Sequence, residues 1–264
     1  MNQVGVIGAG VMGEALIAAL ISYGVSPQSI VISEKRKERS DELVARYGIK
    51  TAELSTNVST SDALLLVVKP QDMAAVLEEI KGSINKGAVV ITFAAGKKIS
   101  FIEQGLGTGN SVVRVMPNTP TLVGEGMAAV SLGSGVSLQQ AEFVSGFLAA
   151  TGKVIEVSED LQDAVTATSG SGPAYFFRFV EAMIAGAIAL GLSEEDATTL
   201  TVQTIVGAAK LLNESGKSAT TLRENVTSPN GTTAAALATF ESEHIGEVVA
   251  KAMKAARDRS QELA

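Results

Sequence analysis

QVGVIGAGVMGEALIAALI, residues 3–21, is the stretch whose reading decides the fold. A β-branched run, QVGVI, passes into GAGVMG, Gly8 to Gly13, and then into the helical pattern EALIAALI. A GxGxxG pattern alone is a weak signal. Between a strand and a helix it reads as a dinucleotide-binding turn. Gly8 permits the tight turn, Gly10 lets the backbone approach a diphosphate, and Gly13 lets helix and strand pack closely. The diphosphate then lies at Gly10, Val11, Met12 and Gly13, where the free N–H groups and the dipole of a helix start favour an anion.

The alternation continues outward from this unit. Short apolar runs (SIVISE, ALLLVVK, AVVITFA, SVVRVM, MAAVSL, KVIEVS) are separated by helical or turn-rich stretches as far as about residue 160. Runs that are apolar on both faces suit interior strands covered by helices on two sides. This predicts an α/β, Rossmann-like, doubly wound sheet over residues 1–160. After Leu161 the strand signal stops, and residues 161–264 read as an all-α domain. Within it, Ala174 to Leu192 is apolar nearly all round, and the last helix repeats Ile245, Val248, Val249, Ala252, Met253 and Ala256 at three- and four-residue spacing. A helix apolar on every side needs cover on every side, and about a hundred residues supply too little. A second subunit is therefore expected.

Composition narrows the chemistry. The 264 residues are 46% hydrophobic and 19% charged, a globular composition. With 21 basic against 28 acidic residues the net charge is −7, which argues against a nucleic-acid partner. No apolar run reaches membrane-spanning length, and MNQVGVIGAG lacks the basic start of a signal peptide, so a cytoplasmic protein without a membrane partner is expected. There is no cysteine and a single histidine, His244, which excludes thiolate chemistry and argues against a metal site or a Ser-His-Asp triad. The work falls to a cofactor, to hydroxyls and to backbone amides.

The carboxyl ends of the strands offer further candidates, since open α/β sheets bind their ligands there. SIVIS ends about 20 residues after the glycines, where an acid would bind the ribose of NAD. Here Ser33 is followed by Glu34, Lys35 and Arg36. A hydroxyl with two cations suits a 2′-phosphate and favours NADPH, whereas Glu34 leaves NADH open. The next strand ends bring Val68, Lys69 and Pro70, then Ala94, Ala95 and Gly96, whose small side chains let a flat ring approach. Asn118, in VVRVMPNTP, ends a further strand on the same edge.

GAGVMG, SGSGPAYFF (Ser169 to Phe177) and SPNGTTAAAL (Ser228 to Leu237) together resemble the pyrroline-5-carboxylate reductases over essentially the whole chain. The resemblance implies an N-terminal NAD(P)-binding domain and a C-terminal helical dimerisation domain. It also implies homodimers, often assembled into decamers, and reduction of the cyclic imine 1-pyrroline-5-carboxylate to L-proline. By the family pattern Ser228, Gly231, Thr232 and Thr233 contact the substrate carboxylate or ring nitrogen. Thr233 takes the position that hydrogen bonds the imine nitrogen. Asn225 matches a residue facing cofactor and substrate across the dimer interface, and Glu159 a position associated with the cofactor in some members. The chain departs from the family in GKSATT, where some members place an acid. Read without the resemblance, Thr232 and Thr233 are helix caps and Glu159 is a helix-start carboxylate.

Two rivals remain at this level. A β-hydroxyacid dehydrogenase has a similar glycine fingerprint, but needs a lysine after its second Gly-rich motif, and SGSGPAYFF is followed by none. A non-catalytic NADP(H)-binding regulator would keep GAGVMG without needing the hydroxyl-rich turn.

Overall fold

The computed structural model describes residues 1–107 and 109–263. Eight strands form one sheet in the order β3-β2-β1-β4-β5-β6-β7-β8. They are β1 (Val4–Ile7), β2 (Ile30–Ser33), β3 (Lys50–Thr51), β4 (Ala63–Leu66), β5 (Val89–Thr92), β6 (Ser111–Met116), β7 (Gly126–Leu132) and β8 (Gly152–Glu156). Neighbours are parallel from β3 to β6. β7 runs antiparallel to β6, and β8 lies parallel to β7.

The alternation of side chains along each strand builds two cores. In β4, Leu65 joins Val4, Val6, Ile30, Ile91 and Phe147 on one face. Leu64 and Leu66 join Val90, Met73, Leu77 and Ile102 on the other. Burying a leucine or isoleucine in this way contributes roughly 1.5–3 kcal/mol, so the sheet is anchored from both faces. The strand order reverses at β1, which has β2 on one side and β4 on the other. That switch point opens the crevice in which such sheets bind ligands.

Every strand anticipated from the pattern is present, and one was not anticipated. β3 is two polar, exposed residues paired to Val31 and Ile32. Nothing apolar marks so short an edge, so only its pairing reveals it. DAVTATSGSG reads as helical, and the structure refines this to an α turn (Gln162–Val165), a π turn (Thr166–Gly170) and a helix from Gly172 to Ala189. The helix Ala219–Asn225 also escaped the pattern.

The chain forms two compact units. One comprises Met1–Pro173 together with the residues from Ala255 onward, and the other Ala174–Lys254. The second is all helix, with Glu194–Glu214, Ala219–Asn225 and Thr232–Ser242 in its interior sequence. Within it only Ala197 and Thr201 are buried. Phe177 is 63% exposed and Val248, on the apolar stripe of the last helix, 58%. The stripe exists, but the single chain does not cover it.

Candidate active site

The parallel register aligns the carboxyl ends of four strands, pairing Ile7 with Ser33 and with Leu66, and Leu66 with Thr92. Gly8 leaves β1 at φ +87°, a conformation L side chains rarely adopt, and a Cβ there would come 2.7 Å from the Val67 carbonyl oxygen. At Gly13 a Cβ would meet the Gly8 carbonyl oxygen at 2.5 Å, so this glycine is required for helix and strand to approach. A Cβ added at Gly10 would meet nothing within 4 Å. The helix Val11–Tyr23 has no side-chain cap. Its first intrahelical bond, from Glu14 N to Gly10 O at 2.9 Å, leaves the N–H groups of Val11, Met12 and Gly13 without helical partners. Space, free donors and dipole coincide, which fits a dinucleotide diphosphate.

Beside this loop the end of β2 is more occupied than its sequence suggests. The Ser33 hydroxyl donates to Ala52 O at 2.9 Å and accepts from Asn57 Nδ2 at 3.0 Å. Glu34, its side chain 8% exposed, accepts from Ala9 N at 2.9 Å and from Arg36 N and Nε at 3.1 and 3.0 Å. Burial opposes ionisation of Glu34, but the hydrogen bonds from Arg36 and Ala9 outweigh it and hold the carboxyl below the ordinary value. Lys35 is exposed and takes no hydrogen-bond or ion-pair partner among the described residues. It lines a cleft of about 390 Å³ with Glu34, Lys37, Asp41 and Glu53.

Farther along the edge, Val68 is half-buried, Lys69 is exposed, and Pro70 opens a 3-10 turn. Ala94 is buried and Ala95 partly so. Gly96, at φ +76°, is buried under the last turn of the helix Ile245–Glu262, where a Cβ would lie 2.6 Å from Ser260 O and 2.7 Å from Leu263 Cβ. The reason lies in a cluster that sequence reasoning missed. Arg114 of β6, 3% exposed, pairs with Glu159 at 3.4 Å and with Asp163 at 3.3 Å. Asp163 accepts from the Ser260 hydroxyl at 2.8 Å, and Glu159 accepts from Ile99 N at 2.6 Å, at the start of the helix Ile99–Leu106. Glu159 reads as a carboxylate at the start of its own helix, ahead of LQDAV, but the helix start it bonds is a different one, at Ile99. A usable signal was present: an arginine inside SVVRVM is buried with its strand and must find carboxylates.

SGSG packs at the end of the same strand. The Asn118 amide donates to Ser169 O and Oγ, each at 3.3 Å, and Asn118 Oδ1 accepts from Met127 N at 2.8 Å. A Cβ at Gly170 would come 2.4 Å from Met116 Cε. A π turn seldom persists without such support, and its presence here suits a functional segment.

In the helical unit, SPNG forms a turn closed by Gly231 N donating to Ser228 O at 3.0 Å, with Asn230 at φ +60°. Gly231 is the N-cap of the helix Thr232–Ser242, which has no side-chain cap, and a Cβ at Gly231 would meet Ser228 Oγ at 2.4 Å. Thr232 and Thr233 are therefore inside the first turn and do not cap it. Among the described residues the hydroxyls of Ser228, Thr232 and Thr233 take no partner. Three uncommitted hydroxyls thus stand beside the open N–H groups of a helix start, an arrangement that suits a small anion. Asn225 ends its helix exposed, and GKSATT holds a cap, with Ser218 Oγ accepting from Thr221 N at 3.1 Å.

A doubly wound sheet with a glycine turn at its switch point, in one chain with an all-helical unit, fits an NAD(P)-dependent oxidoreductase. The family described as "Pyrroline-5-carboxylate reductase dimerisation" matches residues 159–263, and "NADP oxidoreductase coenzyme F420-dependent" matches residues 3–96. The chain is 42% identical to a pyrroline-5-carboxylate reductase of Corynebacterium melassecola over 100% of its length and 99% of the relative's. It is 38% identical to one from Synechocystis, covering 99% and 98% of the two chains. The solved pyrroline-5-carboxylate reductase of Coxiella burnetii superposes with a TM-score of 0.91 at 36% identity, covering 100% and 98% of the two chains. A Plasmodium falciparum pyrroline carboxylate reductase, solved with NADP bound, gives 0.89 at 28% identity over 99% and 98%. The chain belongs to the pyrroline-5-carboxylate reductase family. The hydroxyacid dehydrogenase and regulator readings are not favoured.

Among the described residues no helix is long and apolar enough to cross a membrane, and no group of three or more His, Cys, Asp or Glu could hold a metal ion.

Proposed function

We propose that this enzyme reduces the C=N bond of 1-pyrroline-5-carboxylate to L-proline, the last step of proline biosynthesis, with NADPH preferred to NADH. The observation that carries the reading is the uncapped helix start at Thr232 with its three uncommitted hydroxyls. The substrate carboxylate binds the N–H groups of Thr232 and Thr233 across the turn of Ser228 and Gly231, and Asn225 faces the cofactor and substrate across the dimer interface. NADPH, when bound, would supply the hydride to the imine carbon, and the ring nitrogen would take up one proton to become a secondary amine. Thr233 Oγ hydrogen bonds the ring nitrogen and orients it. A threonine hydroxyl is too weak an acid to release the proton unaided, so water delivers it through Thr233.

Gly8, Gly10, Val11, Met12 and Gly13 hold the diphosphate. Lys35 takes the 2′-phosphate at the end of β2, with Ser33 beside it. Val68, Lys69, Pro70, Ala94, Ala95 and Gly96 form the nicotinamide rim, where Gly96 acts by letting its loop pass beneath Ser260. The preference for NADPH rests on commitments already described. Both oxygens of Glu34 are occupied by Ala9 and Arg36, while Lys35 is open. The unit of assembly is a homodimer that covers the apolar helical faces, and light scattering separates it from a decamer of five dimers. Loss of reduced-nicotinamide absorbance on adding the imine tests the reaction. Run with NADPH and NADH in parallel, it also tests the preference. An unchanged absorbance in a preparation that binds NADPH overturns the reading.

A further inference from the structure

The peptide groups on either side of Ala9, between the first two glycines of the fingerprint, are held by charged side chains. The Ala9 N–H donates to Glu34 Oε2 at 2.9 Å, and its carbonyl accepts from Arg39 Nε at 3.0 Å. Arg39 lies on the helix Lys37–Tyr47, and its other nitrogens are committed too. Nη1 donates to Glu42 at 2.7 Å, and Nη2 to Glu14. Glu14 is in the first turn of the helix Val11–Tyr23, and it also accepts from Arg46 Nη1 and from the Tyr47 hydroxyl at 3.0 Å. Burial opposes its ionisation, yet the bonds from Arg39, Tyr47 and Arg46 keep its carboxyl below the ordinary value.

A carboxylate in that turn suits the dipole of an empty helix, but it stands close to where a diphosphate settles, and like charges disfavour one another. Two guanidinium groups neutralise it. One of them, Arg39, also sets the Ala9 carbonyl and hence the plane of the peptide leading to Gly10. We infer that Arg39 is a positioning residue for the dinucleotide: it orients the glycine turn and shields the diphosphate from Glu14. The inference rests on the reading of GAGVMG as the dinucleotide site. Lysine has no planar fork with which to reach three acceptors at once, so the chemistry asks for arginine.

The test is calorimetric titration of the full chain with NADPH, alongside the melting temperature without cofactor and the KM of the imine. Arg39→Met raises the Kd for NADPH roughly tenfold or more, the scale of a lost hydrogen bond to a charged group. Arg39→Lys falls between it and the wild type. Adding Glu14→Gln to Arg39→Met recovers part of the affinity, because the exposed negative charge is gone. The loss falls on KM for NADPH rather than on kcat or on KM for the imine. An Arg39→Met protein that binds NADPH like the wild type overturns this inference alone. So does a loss that Glu14→Gln does not relieve and that raises both KM values together. A wild type that takes up no NADPH overturns this inference and the reading beneath it.

Discussion

The sheet unit and the helical unit solve the burial problem in opposite ways. In the first, Leu65 is fully buried and apolar side chains pack on both faces of the sheet. In the second, most large hydrophobic side chains from Phe176 to Val249 are exposed, and the interior is reduced to Ala197 and Thr201. One unit is complete within the chain and the other is half of a core. A sheet can be covered by its own crossover helices, whereas five helices presenting apolar faces outward need another surface. The dimerisation family matched over this region names the kind of surface.

Truncating one leucine in each unit would sharpen or break that contrast. Leu65→Ala should lower stability by about 2–5 kcal/mol, independent of protein concentration. Leu200, 56% exposed in the single chain, should behave as a core residue when changed to alanine, with a loss that grows on dilution. If thermal melts show Leu200→Ala within about 0.5 kcal/mol of wild type at every concentration, the helical face is a solvent surface and the contrast fails.

By the proposed assignment, function divides along the same line. Thr233→Ala should lower kcat roughly a hundredfold while the Kd for NADPH stays put, and Thr233→Ser should retain most of the rate. Equal loss of NADPH affinity would deny the helical unit its separate role. Next in size is Ser260→Ala, which removes a hydrogen bond to Asp163 and should cost about 1–2 kcal/mol in denaturant titration. That change reports on the sheet unit, because the residues from Ala255 onward belong to it.

The smallest expected effect is on pH dependence. Glu14 and Glu34 both hold their carboxyls below the ordinary value of 4.5. A depressed folded pKa stabilises fully above the unfolded value and is lost as pH falls through the folded one. Melting temperature should therefore fall below about pH 4.5, and less steeply in Glu14→Gln. A Glu14→Gln curve parallel to wild type would remove Glu14 from the account.

Much of the local framework was legible in order along the chain. GAGVMG between a strand and a helix set the glycine turn, and SPNGTTAAAL marked a helix start. What the order misjudged was commitment. Ser33 looked free for a phosphate, yet its hydroxyl bonds Ala52 and Asn57. Thr232 and Thr233 read as caps, yet Gly231 takes the cap position and leaves them unpaired. Glu34 read as a candidate ribose acid, yet it accepts from Ala9 N within the glycine turn.

By itself, the sequence determined the fold class, the strand positions except β3, the glycine turn, and the apolar helices awaiting cover. These follow from periodicity and backbone stereochemistry, which act over a few residues. Tertiary structure alone decided which polar groups are committed and which stay open. Ala9 meets Glu34 across 25 residues and Arg39 across 30, and Ser260 meets Asp163 across 97. A hydrogen bond depends on where two distant segments come together, and no local pattern records that.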